Sequence, residues 1–254
     1  GTFFNPEALV STAWLAERLS APDIRVVDAS WYLPQQKRDP KAEYRAAHIP
    51  GAVFFDIDEI ADTDNPLPHM LPSPEKFASR MRKLGLGDGS RIVVYDGSGV
   101  NSSAPGAWWM LRVFGHRDVA VLDGGLRKWQ AERRPVEDLP PMPRERHFTA
   151  RLDRTLIRDV EQVRANLARG REQVVDARAH GRFLAQEPEP RPSLRGGHIP
   201  GSRNLPYQEL INPDGTFLPP AAMRARVAKA GIDMSRPVVT SCGSGITACV
   251  IALS

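Results

Sequence analysis

The sequence predicts an α/β protein made of two tandem, similar domains, each a parallel sheet with helices on both faces. Two observations carry that expectation. First, three motifs recur in one order at nearly one spacing. Val26-Val27-Asp28-Ala29 returns as Val174-Val175-Asp176-Ala177, and His48-Ile49-Pro50-Gly51 returns as His198-Ile199-Pro200-Gly201. Ile92-Val93-Val94-Tyr95-Asp96-Gly97-Ser98-Gly99 returns as Val238-Val239-Thr240-Ser241-Cys242-Gly243-Ser244-Gly245, so the three offsets are 148, 150 and 146 residues. Two copies are too few for a solenoid and define two similar domains. Second, apolar runs short enough for strands alternate with helix signals, the pattern of parallel strands joined by right-handed crossovers.

Each element follows from its residues. Residues 24–28 and 173–176 are short apolar runs ending in Asp. Ser73 and Pro74 open a helix that reaches about Leu84, with Ser as N-cap and Pro at the first helical position. Residues 85–89, GLGDG, look like a phosphate loop but precede a strand. A phosphate loop opens a helix, so this is a turn. Residues 91–95 form a buried strand, 104–114 a helix stopped by Gly115, 119–122 a strand and 124–131 a short helix. Residues 137–146, EDLPPMPRER, contain three prolines and no apolar period, which marks an extended boundary. The expected division is a first domain over 1–137, a linker over 138–152 and a second domain over 153–254. The first copy continues from Gly99 to Pro135, whereas the second stops at Ser254, soon after Gly245. The second domain is therefore expected to be incomplete at its C-terminus, with the native chain extending further.

Bulk properties narrow the function. A length of 254 residues suits two domains of ordinary size, and 41% hydrophobic residues support packed cores. The net charge of +4 is spread among interspersed charges with no Lys/Arg block. No nucleic-acid partner is expected, and small anions are favoured. The two cysteines, Cys242 and Cys249, cannot make a disulfide framework or a four-Cys zinc site. Residues 1–19 lack a basic stretch followed by an apolar run, and no run approaches about 18 apolar residues, so neither export nor membrane insertion is expected. A reducing, cytoplasmic compartment is the expected setting, where a free thiol survives.

The chemistry concentrates at Cys242. Apolar residues lead up to it, Gly243-Ser244-Gly245-Ile246-Thr247 follow, and Ala248 starts a helical run. Strand, tight loop and helix place the thiol at the carboxyl end of a parallel sheet, where ligands bind. Loop N–H groups and a helix N-terminus there favour a thiolate. A free cysteine is more often a buried apolar residue. Glycines on both sides of Ser244 argue against that here, whereas Cys249, inside an apolar run, reads as core.

The segment Cys242-Gly243-Ser244-Gly245-Ile246-Thr247-Ala248 resembles the active loop of the 3-mercaptopyruvate sulfurtransferases, and the two His-Ile-Pro-Gly segments resemble those of rhodanese domains. The likeness spans essentially the whole chain, including Asp28-Ala29-Ser30-Trp31-Tyr32-Leu33-Pro34 and Phe54-Phe55-Asp56-Ile57-Asp58. The chain is identified as a member of the rhodanese family with two tandem rhodanese-like domains. In such proteins the first domain lacks the cysteine, and Asp96 stands at the matching position. The resemblance implies a catalytic set of Cys242, Ser244, His69 and Asp58, in which Asp orients His and a proton moves through Ser. On its residues alone, His69 in Pro68-His69-Met70-Leu71-Pro72 reads as a loop-packing His. Arg182 and Arg191 match arginines that hold the substrate carboxylate and keto oxygen, as a guanidinium fork suits. Without the resemblance they read as solvated partners of nearby Glu. Gly243, Gly245, Ile246 and Thr247 complete the substrate-binding loop. His48 and His198 read as structural, Trp108-Trp109 as packing, and Asp96 and Asn101 as remnants of a dead site able to line an interface.

The implied activity moves the sulfur of 3-mercaptopyruvate through a Cys242 persulfide to a thiol such as thioredoxin, or to cyanide. No metal or organic cofactor is called for, because sulfur is itself the carried group. Thiosulfate sulfurtransferase on the same fold is the near alternative, and a non-enzymatic persulfide carrier the alternative from another class. Thiosulfate-specific relatives carry basic residues just after the cysteine, where Gly243 and Ser244 are neutral. A rhodanese-like phosphatase needs Cys, five residues, then Arg; position 248 is Ala.

Overall fold

A computed structural model describes residues 8–158, 160–169, 172–178, 182, 184–186, 197–233, 235–236 and 238–241. In the first unit, strands β1 (Leu9–Val10), β2 (Ile24–Asp28), β3 (Val53–Phe54), β4 (Arg91–Tyr95) and β5 (Val119–Leu122) form one parallel sheet in the order β1-β5-β4-β2-β3. The helices are α1 (Thr12–Ala16), α2 (Pro40–Ala46), α3 (Ile57–Ile60), α4 (Pro74–Lys83), α5 (Ala104–Val113) and α6 (Gly125–Ala131). Alternate β4 residues face opposite ways, as a strand's period of two requires. Ile92 and Val94 join Phe77, Met81, Leu111 and Phe114 of α4 and α5 and the turn after α5. Val93 and Tyr95 join Leu15, Tyr44 and Trp129 of α1, α2 and α6. Both faces of the sheet are covered, which explains the near-continuous apolar runs.

Helix starts are set by side chains. Ser73 Oγ accepts the Lys76 N–H at 3.1 Å ahead of α4, Asp39 caps α2 through the Ala42 N–H at 3.1 Å, and Ser11 caps α1 through the Trp14 N–H at 3.0 Å. Such caps satisfy amides that have no partner within the helix. Pro74 and Pro40 occupy the first helical positions.

In the second unit, α7 (Val160–Arg169) precedes β6 (Gln173–Asp176). Then come β7 (Arg203–Asn204), α8 (Pro220–Lys229) and β8 (Val238–Ser241). The described strands pair in parallel as β7-β6-β8, the order of β3-β2-β4 in the first unit. The registers also repeat: Asp28 lies opposite Phe54 and Tyr95, and Asp176 opposite Asn204 and Ser241. The second unit thus copies the centre of the first, as the sequence offsets predict.

The segment between the units is extended and largely exposed, and its last part is fastened to the first unit. Glu137 pairs with His48, the Asp88 N–H donates to His147 O at 3.0 Å, and the Arg151 N–H to Phe114 O at 2.9 Å. Phe148 is fully buried against Phe77 and His116. Gly87 of the turn before β4 admits this strap, because a Cβ there would lie 2.9 Å from Arg146 Cβ. Among the described residues, no helix is long and apolar enough to cross a membrane.

Candidate active site

His69 comes from the loop between α3 and α4. The loop closes on itself through the Asp62 N–H to Met70 O bond at 2.8 Å, and Lys76 Nζ of α4 ties down Ala61 O at 2.7 Å. His69 has φ +55°, a left-handed conformation in which His is enriched among non-glycine residues. Its Nε2 lies 2.9 Å from Oδ1 of Asp58, a residue of the single-turn helix α3. Trp31 meets the imidazole edge-on, with ring centroids 4.8 Å apart. The histidine side chain is 4% exposed, whereas that of Asp58 is 68% exposed. Asp58 therefore holds the ring from the solvent side.

This geometry sets the tautomer. A carboxylate only accepts, so Nε2 carries the proton it donates to Asp58 and the neutral ring keeps its lone pair on Nδ1. Nδ1 is buried without a hydrogen-bond partner among the described residues. Relative to the serine-protease triad, where Nδ1 faces the carboxylate, the two nitrogens exchange places. The result is a buried acceptor with its orienting acid already in place.

The loop after β4 shows what replaces the cysteine in the first unit. Asp96 is buried, and its Oδ1 accepts the Ser98 N–H at 2.9 Å and the Ser98 hydroxyl at 2.6 Å. Its Oδ2 accepts the Ser103 and Ala104 N–H groups at 3.0 and 2.7 Å, at the start of α5. A fixed anion thus sits at a helix N-terminus at a strand's carboxyl end. Asp28, one strand over, accepts the Ser30 N–H at 2.9 Å. Burial pushes its carboxyl up to about 6, its hydrogen bonds to Ser30 and Tyr95 oppose that rise, and the charge of Asp96 adds to it. In the second unit Arg178 replaces Ser30 and holds the matching Asp176 with a two-pronged contact of 3.0 and 2.7 Å.

Of the residues expected from the sequence, the structure brings His69 and Asp58 together. Arg182 is partly buried in the second unit, where its carbonyl accepts the Ala185 N–H at 3.2 Å. Cys242, Gly243, Ser244, Gly245, Ile246, Thr247 and Arg191 lie outside the described residues, as does Cys249. Strand β8 is described up to Ser241, opposite Asp176 at the carboxyl end of its sheet. His48 is buried, bonded through Nδ1 to Tyr44 O at 2.8 Å and stacked on the Tyr44 ring, whereas His198 is exposed. The structural role expected of both histidines is thus seen in full only for His48, which the paired Glu137 covers. Sequence reasoning missed Trp31 as the wall of His69; an aromatic within a matched motif was the available signal. Among the described residues, no group of three or more His, Cys, Asp or Glu side chains converges to hold a metal ion.

A duplicated parallel α/β unit, with an anion-cradling loop after the central strand of the first copy and a cysteine at the same place in the second, defines the class. The chain matches the Rhodanese-like domain over residues 11–132 and 159–253 and belongs to that family. It is 45% identical over 251 residues to the 3-mercaptopyruvate sulfurtransferase of Homo sapiens, covering 97% of this chain and 84% of that protein. It is 47% identical over 253 residues to the thiosulfate sulfurtransferase of Cricetulus griseus, covering 97% and 85%. The crystal structure of SseA from Escherichia coli, a 3-mercaptopyruvate sulfotransferase, superposes with a TM-score of 0.89 at 40% identity, covering 100% of this chain and 93% of that one. Overall identity does not separate the two donors; the loop after the cysteine has to.

Proposed function

We propose that the chain is a sulfurtransferase that takes sulfur from 3-mercaptopyruvate onto Cys242 and passes it to a thiol acceptor. The Cys242 thiolate attacks the donor sulfur, an S–S bond forms, and the C–S bond breaks with its electron pair left on carbon as pyruvate enolate. The donor's S–H gives its proton through Ser244 to Nδ1 of His69, which returns it by the same route to the enolate carbon, with Asp58 orienting the imidazole. Arg182 and Arg191 hold the carboxylate and the keto oxygen, where charge develops. The loop residues Gly243, Gly245, Ile246 and Thr247 surround the donor. The persulfide then gives its outer sulfur to a small thiol, a protein thiol such as thioredoxin, or cyanide. In this reading residues 1–137 form a domain that supplies His69 and Asp58 but no sulfur, 138–152 the linker, and 153–254 the sulfur-carrying domain. A reducing cytoplasm suits the thiol.

The observation that carries the reading is the His69–Asp58 pair, with Nδ1 buried and without a hydrogen-bond partner among the described residues. A thiosulfate enzyme has no carbanion to protonate and no use for that acceptor. Thiosulfate is the second reading, favoured by the 47% identity to a thiosulfate sulfurtransferase. The neutral Gly243 and Ser244 weigh against it, because a dianion wants fixed cations beside the sulfur. Steady-state turnover of both donors under identical acceptor conditions decides. A charged hydrogen bond contributes roughly 1.5–3 kcal/mol, so kcat/KM for mercaptopyruvate exceeds that for thiosulfate by at least about tenfold. Equal or better efficiency with thiosulfate overturns the choice of donor.

A further inference from the structure

The loop after β4 is the counterpart of the cysteine loop: Gly99 and Asn101 match Gly245 and Thr247 at the same offset as Asp96 and Cys242. In an open parallel sheet, the ground beyond the strands' carboxyl ends is where a ligand settles. In the first unit a turn of the second unit occupies it. Asn101 is buried, with φ +50°, and its Nδ2 donates to Gly215 O at 2.7 Å. Just past the neighbouring β5, Asp123 Oδ1 accepts the Phe217 N–H at 2.8 Å. Phe217 is buried in the same apolar cluster as Trp108. Gly215 has φ +88°, and a Cβ there would stand 2.6 Å from Gly99 O, so both backbone and space require glycine. The turn is closed by its own bonds, the Asn212 N–H to Thr216 O at 2.7 Å and the Leu218 N–H to Leu210 O at 2.9 Å.

From this junction, hydrogen bonds lead to both halves of the proposed site. On the first-unit side, Ser103 Oγ accepts the Trp31 N–H at 3.1 Å and donates to Ala29 O at 2.8 Å, and Trp31 is the wall of His69. On the second-unit side, the segment entering the turn is fixed to the end of β6. The Leu205 N–H donates to Asp176 O at 2.9 Å and the Tyr207 N–H to Ala177 O at 3.2 Å. Asp176 lies in register with Ser241, whose next residue is Cys242. Rigid strands and hydrogen-bonded loops thus connect His69 to the strand that carries the cysteine, with the Asn101–Gly215 bond at the crossing between units.

We propose that residues 99–103, the first unit's copy of the cysteine loop, together with Asp123 after β5, serve as a positioning clasp that seats the 211–217 turn and thereby registers His69 against β8, the strand that leads to Cys242. Asn101 is a positioning residue: it acts through Gly215 and touches no reacting atom. The inference rests on the function proposed above, because only a site divided between the units needs such registration. Misplacing the proton-handling group slows the step that uses it. The groups proposed to bind substrate, Arg182, Arg191 and the loop, all belong to the second unit and stay together.

The test is Asn101→Asp, which keeps side-chain size and tolerance of φ above zero but turns the donor against Gly215 O. Gly215→Ala opens the junction from the other side. Asp123→Asn, which keeps an acceptor for Phe217, is the conservative control. Three quantities are read: hydrogen exchange of the Phe217 amide, kcat and KM with 3-mercaptopyruvate, and the iodoacetamide alkylation rate of Cys242. In Asn101→Asp and Gly215→Ala the amide exchanges faster and kcat falls roughly 10- to 100-fold, while KM and alkylation change less than about twofold. Asp123→Asn stays within about twofold of the unmodified protein on all three. Faster exchange with unchanged kcat overturns the clasp and leaves the function standing, as does a fall in kcat shared equally by alkylation. An unmodified protein that turns over neither mercaptopyruvate nor thiosulfate overturns the function and the clasp together.

Discussion

Replacing Asp96 by Asn tests whether the first unit is held together by an anion where the second carries its thiol. The carboxylate accepts four hydrogen bonds, from Ser98 N–H and Oγ–H on one oxygen and from the Ser103 and Ala104 N–H groups on the other. Asparagine retains one oxygen. With that oxygen toward the start of α5, its NH2 faces the Ser98 amide, donor against donor. The two surviving bonds fall from charged to neutral strength, each losing about 1 kcal/mol, and the half-buried Ser98 N–H is orphaned at a cost of about 1–3 kcal/mol. Relief of repulsion with Asp28 returns part of this, which leaves a net loss of roughly 2–4 kcal/mol. The assay is urea unfolding followed by tryptophan fluorescence. All five tryptophans, Trp14, Trp31, Trp108, Trp109 and Trp129, lie in the first unit, so the signal reports that unit and, through Trp108, the apolar cluster shared with Phe217 of the second. With a slope of about 1–3 kcal/mol per molar urea, the midpoint drops by roughly 1–2 M. A drop smaller than about 0.3 M would refute the idea that the carboxylate organises the loop.

Two further outcomes follow from buried groups. Folded Asp28 keeps its proton up to about pH 6, whereas the unfolded chain releases it near 3.8, the ordinary value of an aspartate. Between those values the native state binds more protons, so the contribution of Asp28 to stability falls as pH rises through the window and stays low above it. Asp28→Asn removes this fall and gains on the parent by about 3 kcal/mol between about pH 4 and pH 7, measured as urea midpoints; parallel pH curves for the two proteins would sink the explanation. Phe148→Ala empties a fully buried site between Phe77 and His116 and costs about 3–5 kcal/mol in the same fluorescence-detected unfolding. A loss below about 1 kcal/mol would mean that the strap is not part of the first unit's core.

Much of the architecture was legible because it rests on repetition and local chemistry. The strands over 24–28, 91–95, 119–122 and 173–176 lie where apolar runs put them, and α4 starts behind its Ser-Pro signal. The repeat offsets anticipate the matching strand orders and registers of the two sheets. Strands β1 and β3, two residues each, were invisible because two residues carry no period. Phe148 gave no warning for a related reason: one aromatic in a proline-rich stretch has no pattern to show its burial. At the site, only likeness to a family singled out His69 and Asp58, which are eleven residues apart on a loop and a one-turn helix. The Asn101–Gly215 contact joins residues 114 positions apart through one amide and one carbonyl, and no local signal marks it.

The central claim is that Cys242 carries the sulfur, and trapping the loaded protein tests it most directly. The protein is incubated with 3-mercaptopyruvate without an acceptor, alkylated, digested and mapped by mass spectrometry, and then treated with a thiol. The account predicts one added sulfur atom on the peptide containing Cys242, none on Cys249 in a Cys242→Ser variant, and loss of the added mass once the thiol is present. Sulfur retained by the Cys242→Ser protein on Cys249, or pyruvate released with no sulfur on either cysteine, would contradict it.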